Sequence, residues 1–293
     1  MDGLTNISTV KDLLERHGFR FSRALGQNFI VNPSICPRIA QLGGAEGRGV
    51  LEVGAGVGVL TDQLARVAQK VVCVEIDPRL LPILHETLAD HQNVTIVNDD
   101  VLKVDLHQLL AREFAGMEVV VCANLPYYIT SPILMRLLEE NLPVRAITVM
   151  VQREAAERIC ARPGTRASGA LSAAVWYYSE PQLLFQVSRG SFMPSPDVDS
   201  AVIRLDLRPA PPVQLQDRSD FFKVVKAAFA QRRKTVHNSL SSALGLSKDL
   251  VGRAMDSAGV PRSVRAEELT LEQFAALANA LHSSIQTKGE NLQ

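Results

Sequence analysis

From Gly49 to Val151 the sequence alternates short apolar runs with amphipathic stretches, and few chain architectures satisfy that pattern. Val50-Leu51-Glu52-Val53, Val71-Val72-Cys73-Val74, Val94-Thr95-Ile96-Val97, Val119-Val120-Val121-Cys122-Ala123 and Ala146 to Val151 read as strands. Helices are expected between them: from the loop Gly54-Ala55-Gly56-Val57-Gly58 to about Val67, over Leu80 to Ala89, over Leu106 to Phe114, and from Ser131-Pro132 to Glu140. Strands alternating with helices predict a parallel sheet wound on both sides, because the crossover helices cover the faces that such apolar strands must bury.

Two further β-rich segments, Leu183 to Val187 and Ala201 to Leu207, follow a helix near Ala170 to Tyr178 and have no helix between them. They are expected to form a hairpin at the sheet edge. Seven strands with the last pair antiparallel define a Rossmann-like α/β sheet of the class I methyltransferase type rather than that of a dinucleotide dehydrogenase. Before this sheet, Asn32-Pro33 reads as a helix N-cap followed by Pro at the first helical position, with the helix running to about Leu42. After it, Pro209-Ala210-Pro211-Pro212 is a linker, since three prolines in four residues cannot occupy a central strand or helix. Helical patterns follow at Phe221 to Phe229, Thr235 to Leu244, Ser247 to Ala258 and Leu271 to Leu281. The expected domains are thus residues 1–208, α/β, and 209–293, small and all-helical. Lys+Arg against Asp+Glu is 20 to 23 in the first (−3) and 11 to 8 in the second (+3).

Composition narrows the function classes. With 293 residues, 46% hydrophobic and 21% charged, the chain can bury an ordinary core. A formal net charge of zero means that any nucleic-acid binding must come from a local patch. Cys36, Cys73, Cys122 and Cys160 are far apart, so they are expected to be reduced core thiols with no metal role. Met1 to Glu15 lacks the apolar core of a signal peptide, and no apolar run approaches the ~20 residues that span a bilayer. The expectation is a cytoplasmic, monomeric protein without metal or membrane contact.

The glycines at 54, 56 and 58 follow the first strand of the alternating region and let the backbone approach a ligand closely. Val59 stands where a phosphate-binding dinucleotide fingerprint has its third glycine. Glu75, at the end of the next strand, suits the two hydroxyls of a ribose, and Ile76 can cover an adenine face. Asp99 and Asp100 end the third strand, where one can accept from an exocyclic amine while the other caps the turn before Val101. Acids lining the pocket at three successive points, without a phosphate-binding lysine, favour a nucleoside ligand that is neutral or cationic. S-adenosylmethionine fits this description, having a ribose, an adenine and a sulfonium and no phosphate.

Asn124-Leu125-Pro126-Tyr127 lies at the carboxyl end of the fourth strand, where open α/β sheets bind ligands. Asn124 offers a carbonyl acceptor, Pro126 stiffens the turn, and Tyr127 presents a flat face on which a base can stack. An ordinary strand end followed by a Pro turn is the plain alternative for these four residues alone.

Taken together, Gly26-Gln27-Asn28-Phe29, Glu52-Val53-Gly54-Ala55-Gly56, Glu75-Ile76-Asp77, Asn124-Leu125-Pro126-Tyr127-Tyr128, Phe192-Met193-Pro194-Ser195-Pro196 and Ala230-Gln231-Arg232-Arg233-Lys234-Thr235 closely resemble the small-subunit ribosomal RNA adenine dimethyltransferase family (KsgA/RsmA). Ala55, often Pro in that family, and His237 are departures that remove no side chain the chemistry needs. The resemblance implies S-adenosylmethionine contacts from Asn28, Ile30, Gly54, Glu75, Asp100 and Asn124, with Gly56, Ile76 and Val101 in the same pocket. It also implies transfer of two methyl groups to N6 of each of two adjacent adenines near the 3′ end of small-subunit rRNA, within an immature ribosomal subunit. Asn124 and the Leu125 carbonyl would accept the amino hydrogens, and Tyr127 would stack on the base. Phe192 or Phe29 would cover its other face, with core packing the alternative for Phe192.

Arg218 to Lys234 holds six basic residues against the single acid Asp220 and is read as an RNA contact centred on Arg232, Arg233 and Lys234. The arginines 16, 20, 23 and 38 lie in a stretch without acids that is either a solvated face or a phosphate-contacting one. The alternatives weighed are a large-subunit rRNA adenine methyltransferase, a non-methylating RNA-binding assembly factor and a NAD oxidoreductase. The last is disfavoured by Val59 and by the Asn-Leu-Pro-Tyr turn.

Overall fold

In the computed structural model, which describes residues 3–22, 25–231 and 233–290, the alternating region folds as its periodicity requires. The first elements are α1 (Ile7–Arg16), β1 (Phe29–Ile30), α2 (Ile35–Leu42), β2 (Gly49–Val53), α3 (Val59–Ala65), β3 (Lys70–Glu75), α4 (Leu81–Thr87), β4 (Val94–Asn98), α5 (Leu106–Glu113), β5 (Val119–Asn124), α6 (Thr130–Glu139) and β6 (Ala146–Gln152). After α7 (Arg153–Cys160) and α8 (Ala170–Tyr178) come β7 (Ser179–Val187), β8 (Phe192–Met193) and β9 (Ser200–Leu207). The chain closes with α9 (Arg218–Phe229), α10 (Val236–Leu244), α11 (Lys248–Ser257) and α12 (Leu271–Glu290).

The seven-stranded sheet has the order β4-β3-β2-β5-β6-β9-β7. The strands from β4 to β6 pair in parallel, and β9 runs antiparallel to β6. Reversal of order at β2 opens a crevice outside the carboxyl ends of β2 and β5, the usual ligand position in such sheets. β2 is buried along its whole length, and alternation sends Val50 and Glu52 to one face and Leu51 and Val53 to the other. Val50 shares its side with Ile39, Leu64 and Leu84 of the flanking helices, in one hydrophobic cluster.

β7 and β9 are neighbours at the edge as expected, but the connection between them is no tight turn. It carries β8, which pairs antiparallel with β1 through Phe29↔Met193 and Ile30↔Phe192. The helices α1 and α7 are additions to the sequence expectation. Asn32 forms a turn rather than a cap: its Oδ1 accepts from the Ser34 N–H at 3.1 Å, and α2 begins at Ile35. Thr235 and Ser247 do act as N-caps, accepting from the backbone N–H groups of Asn238 and Leu250. All four cysteines are free, and three of them are buried. Among the described residues no helix is long and apolar enough to cross a membrane.

The chain divides into two compact units. The first comprises the chain up to Ala156 together with Pro181–Leu207, and the second Glu157–Glu180 together with the chain from Arg208 onward. An expected boundary between residues 208 and 209 therefore misses an excursion, for which α8 supplies the physical reason. Ala173 and Tyr177 of α8 belong to the core formed by Phe221, Val224, Leu240, Met255 and Phe274. Ring centroids lie 5.3 Å apart for Tyr177 and Phe221, and 5.5 Å apart for the stacked Tyr178 and Phe222. Phe221 is 0% exposed. Its replacement by Ala is expected to destabilise the helical unit by about 3–5 kcal/mol in urea unfolding, the usual loss for emptying a buried phenyl site.

Candidate functional site

The crevice at the switch in strand order is lined by residues 25–30 of the segment leading into β1, by the loop after β2, by Glu75 and Ile76 after β3, and by residues 124–129 after β5. It encloses about 830 Å³ of empty space, part of it open to solvent. Asn28, Ile30, Gly54, Gly56, Glu75, Ile76, Asn124, Leu125, Pro126 and Tyr127 all lie on its wall. Residues far apart in sequence thus meet at one crevice.

Each wall has a local cause. Gly56 adopts φ +60°, and a Cβ there would stand 3.2 Å from the Phe29 ring, so only glycine lets the loop pass beneath β1. Glu75 is buried, with one carboxylate oxygen accepting from the Gly56 N–H at 3.0 Å and the other from the Asp77 N–H at 2.9 Å. Burial raises its pKa, and those backbone donors oppose the rise. Ile76 is 47% exposed on the crevice wall, where its side chain is suited to covering a flat ligand.

Asn124 is half-buried at the end of β5, and its Nδ2 donates to the Asn28 backbone carbonyl at 3.2 Å. That bond takes up Nδ2, so Oδ1 is the amide atom left to accept from a ligand. The Leu125 N–H donates to the Met150 carbonyl at 3.1 Å, carrying the strand pairing into the turn. Pro126 accepts from Thr130 Oγ1 at 3.2 Å, and the Tyr127 hydroxyl lies 2.6 Å from Ser200 Oγ, which holds the ring in place. Burial pushes the Tyr127 phenol up.

Other expectations meet a different arrangement. Asp100 and Val101 do not line the crevice. Asp100 Oδ1 accepts from the Leu102 N–H at 2.9 Å and Oδ2 lies 3.5 Å from Lys103 Nζ, so this carboxylate is engaged in its own turn. Phe192 is 4% exposed, opposite Ile30 and inside the hydrophobic cluster. In this structure it supports the wall from behind and offers no face, because the β1–β8 pairing turns it inward. Phe29 is likewise buried, though it lines the crevice. Within the basic stretch, Lys223 Nζ is paired with buried Asp220 at 2.9 Å, whereas Arg233 and Lys234 are exposed after α9. Arg23 and Arg232 lie outside the described residues.

Glu52 is the lining residue that the sequence reading passed over. It is 1% exposed, and neither carboxylate oxygen has a hydrogen-bond partner among the described residues. Its cross-strand neighbours are Cys73 and Cys122. Burial, opposed by the nearby Thr61 hydroxyl and reinforced by Glu75, pushes Glu52 up to about 8. A glutamate inside an apolar parallel strand was the available signal, since an unpaired buried carboxylate is expensive. Its presence beside the crevice calls for a cationic ligand. The donor set therefore fits S-adenosylmethionine: acids toward the ribose and the cationic groups, an apolar cover at Ile76 and, among the described residues, no basic side chain on the wall that would take a phosphate.

Sheet order and crevice together define a class I S-adenosylmethionine-dependent methyltransferase. Residues 18–283 match the family model described as ribosomal RNA adenine dimethylase. The chain belongs to that family, whose cofactor is S-adenosylmethionine, and it is an rRNA adenine dimethyltransferase. It is 49% identical over 288 residues to the ribosomal RNA small subunit methyltransferase A of Bacillus mycoides (strain KBAB4), with 96% of this chain and 98% of the relative covered. The protein of that name from Bacillus cereus (strain AH187) gives the same identity and coverage. Among solved structures, the 23S rRNA methyltransferase ErmE is 29% identical with a TM-score of 0.66, covering 87% of this chain and 100% of that one. A dimethyladenosine transferase from Plasmodium falciparum shares the fold, with a TM-score of 0.69 at 23% identity and coverage of 89% and 98%.

Proposed function

We propose that the chain dimethylates N6 of two adjacent adenines near the 3′ end of small-subunit rRNA, acting on an immature subunit in the cytoplasm as a monomer. The observation that carries the chemistry is Asn124. Its Nδ2 is held by the Asn28 carbonyl, which leaves Oδ1 as the acceptor this amide can offer a substrate amine.

S-adenosylmethionine, when bound, supplies an electrophilic methyl group on a sulfonium. Glu75 is the residue for the ribose, Ile76 for the adenine face, and Glu52 for the cationic groups, with Gly54 and Gly56 giving close backbone approach. The N6 amine of adenine is a weak nucleophile because its lone pair is delocalised into the ring. Hydrogen bonds from that amine to Asn124 Oδ1 and to the Leu125 carbonyl favour a pyramidal nitrogen with its lone pair turned toward the methyl. Transfer of that methyl would leave N6 with a proton to shed, and the partly open crevice gives it solvent as the acceptor. Positioning supplies most of the acceleration, and no strong general base is needed. Tyr127 stacks on the base after it has left its RNA stack. Arg233 and Lys234, with Arg232 between Gln231 and Arg233 in sequence, provide a phosphate-contacting patch whose binding weakens steeply with salt.

Small-subunit specificity is supported by the names of the relatives at 49% identity and tested by transfer of labelled methyl groups. N6,N6-dimethyladenosine should appear in undermethylated small subunits and not in large ones. Label confined to large-subunit rRNA would instead give the chain the substrate named for ErmE. Binding to small subunits without label would leave an assembly factor.

A further inference from the structure

The crevice wall formed by Asn28, Phe29 and Ile30 comprises β1 and the end of the segment that leads into it from α1, and a polar clasp on the buried Asp77 holds that segment in place. Gln27 is its bridge. Gln27 Oε1 accepts from the Ser22 N–H at 2.8 Å, and Gln27 Nε2 donates to Asp77 Oδ2 at 2.8 Å. Asp77 is 3% exposed and also takes Arg79, whose Nε donates to Oδ1 at 2.8 Å and whose Nη2 donates to Oδ2 at 2.6 Å. Arg79 reaches back to the same segment, donating through Nη1 to the Arg20 carbonyl at 3.4 Å and lying 5.2 Å over the Phe19 ring. The backbone N–H of Asp77 in turn donates to Glu75 Oε1 at 2.9 Å. One buried residue is thereby bonded to both walls of the crevice, through its side chain to the segment and through its backbone to Glu75.

We propose that Asp77 is a positioning residue for the cofactor: through Gln27 it sets the Asn28–Ile30 wall, and through its own N–H it sets the Glu75 carboxylate. This rests on the reading that the crevice takes S-adenosylmethionine. Charge-assisted bonds to a carboxylate shielded from water are short and directional, so the clasp fixes the wall's position and not merely its attachment. The group it organises first is the binding surface. Strand pairing that the clasp does not supply keeps the Asn124 backbone at the end of β5, and only the bond from its Nδ2 to the Asn28 carbonyl ties it to the wall.

The test measures S-adenosylhomocysteine affinity by calorimetry, and kcat and cofactor KM in methyl transfer, for wild type, Gln27→Leu, Asp77→Asn and the double variant. Gln27→Leu removes both bonds of the bridge without unpairing Arg79 from Asp77. It should raise Kd and KM about tenfold, with kcat at saturating cofactor changed far less. Because both substitutions act on the same link, the losses in the double variant should fall clearly short of additive. Wild-type Kd retained in Gln27→Leu would overturn the proposal. So would additive losses in the double variant, or a fall in kcat with KM unchanged. Should Asp77→Asn fail to fold, the Kd and the KM–kcat split of Gln27→Leu decide alone. Absence of binding by the wild type would instead remove the cofactor reading on which the proposal stands.

Discussion

Asn124→Ala is expected to lower kcat for methyl transfer by about 10²–10³-fold, the usual cost of removing one preorganised polar contact to a reacting group. Two separate functions of one amide are lost in this variant. Oδ1 is the acceptor for the adenine amine, and Nδ2 holds the Asn28 carbonyl at 3.2 Å. The second loss loosens one wall of the crevice and should weaken S-adenosylhomocysteine binding only a few-fold, since Glu52, Glu75 and Ile76 are untouched. A comparable collapse of cofactor affinity would mean that Asn124 acts through the wall and not on the base. Retained kcat would remove it from the chemistry. Calorimetry beside single-turnover transfer separates these results.

Glu52→Gln is expected to make the cofactor-free protein more stable at alkaline pH and the cofactor weaker. The carboxyl stands at about 8 in the fold against an ordinary value of 4.5. Between those values the folded protein keeps a proton that the unfolded chain has released, so wild-type stability falls as pH rises through that window. Each pH unit across it is worth at most about 1.4 kcal/mol, giving a total on the order of a few kcal/mol. Gln cannot ionise, so this part of the slope disappears. The variant should melt several degrees above wild type at pH 8.5, with the gap narrowing toward pH 5. Binding of a cation to wild type at pH 7 should release a proton, visible as a dependence of the calorimetric heat on buffer ionisation enthalpy. The variant should show no such dependence and should bind about tenfold more weakly. Equal pH slopes for the two proteins would show that Glu52 does not titrate in this range.

The stability gained by removing Glu52 would be a cost that the native sequence carries for its site. The same strand shows how far local sequence reasoning reaches. Leu51 and Val53 fix the strand and its burial, whereas Glu52 owes its isolation to the pairing that sets it beside the buried thiols of Cys73 and Cys122. Phe192 gives a parallel case. Its Pro-rich context marks an irregular connection, but its inward orientation comes from pairing with Ile30, a residue of the distant N-terminal segment.

What the sequence by itself determined was the succession of elements and the strand ends on which the site is built. Val119 to Ala123 encodes a buried strand through side-chain period and β-branching, Gly54-Ala55-Gly56 encodes a loop through backbone freedom, and Asn124-Leu125-Pro126-Tyr127 follows directly in the chain. Such signals act over a few residues and survive without tertiary context. The tertiary structure alone decided which partners those residues meet. Gln27 reaches Asp77 fifty positions away, Asn124 finds the Asn28 carbonyl across 96 positions, and α8 leaves the sheet to join the core around Phe221. No local period records such contacts, because they arise when strand order and register bring separate segments to the same end of the sheet.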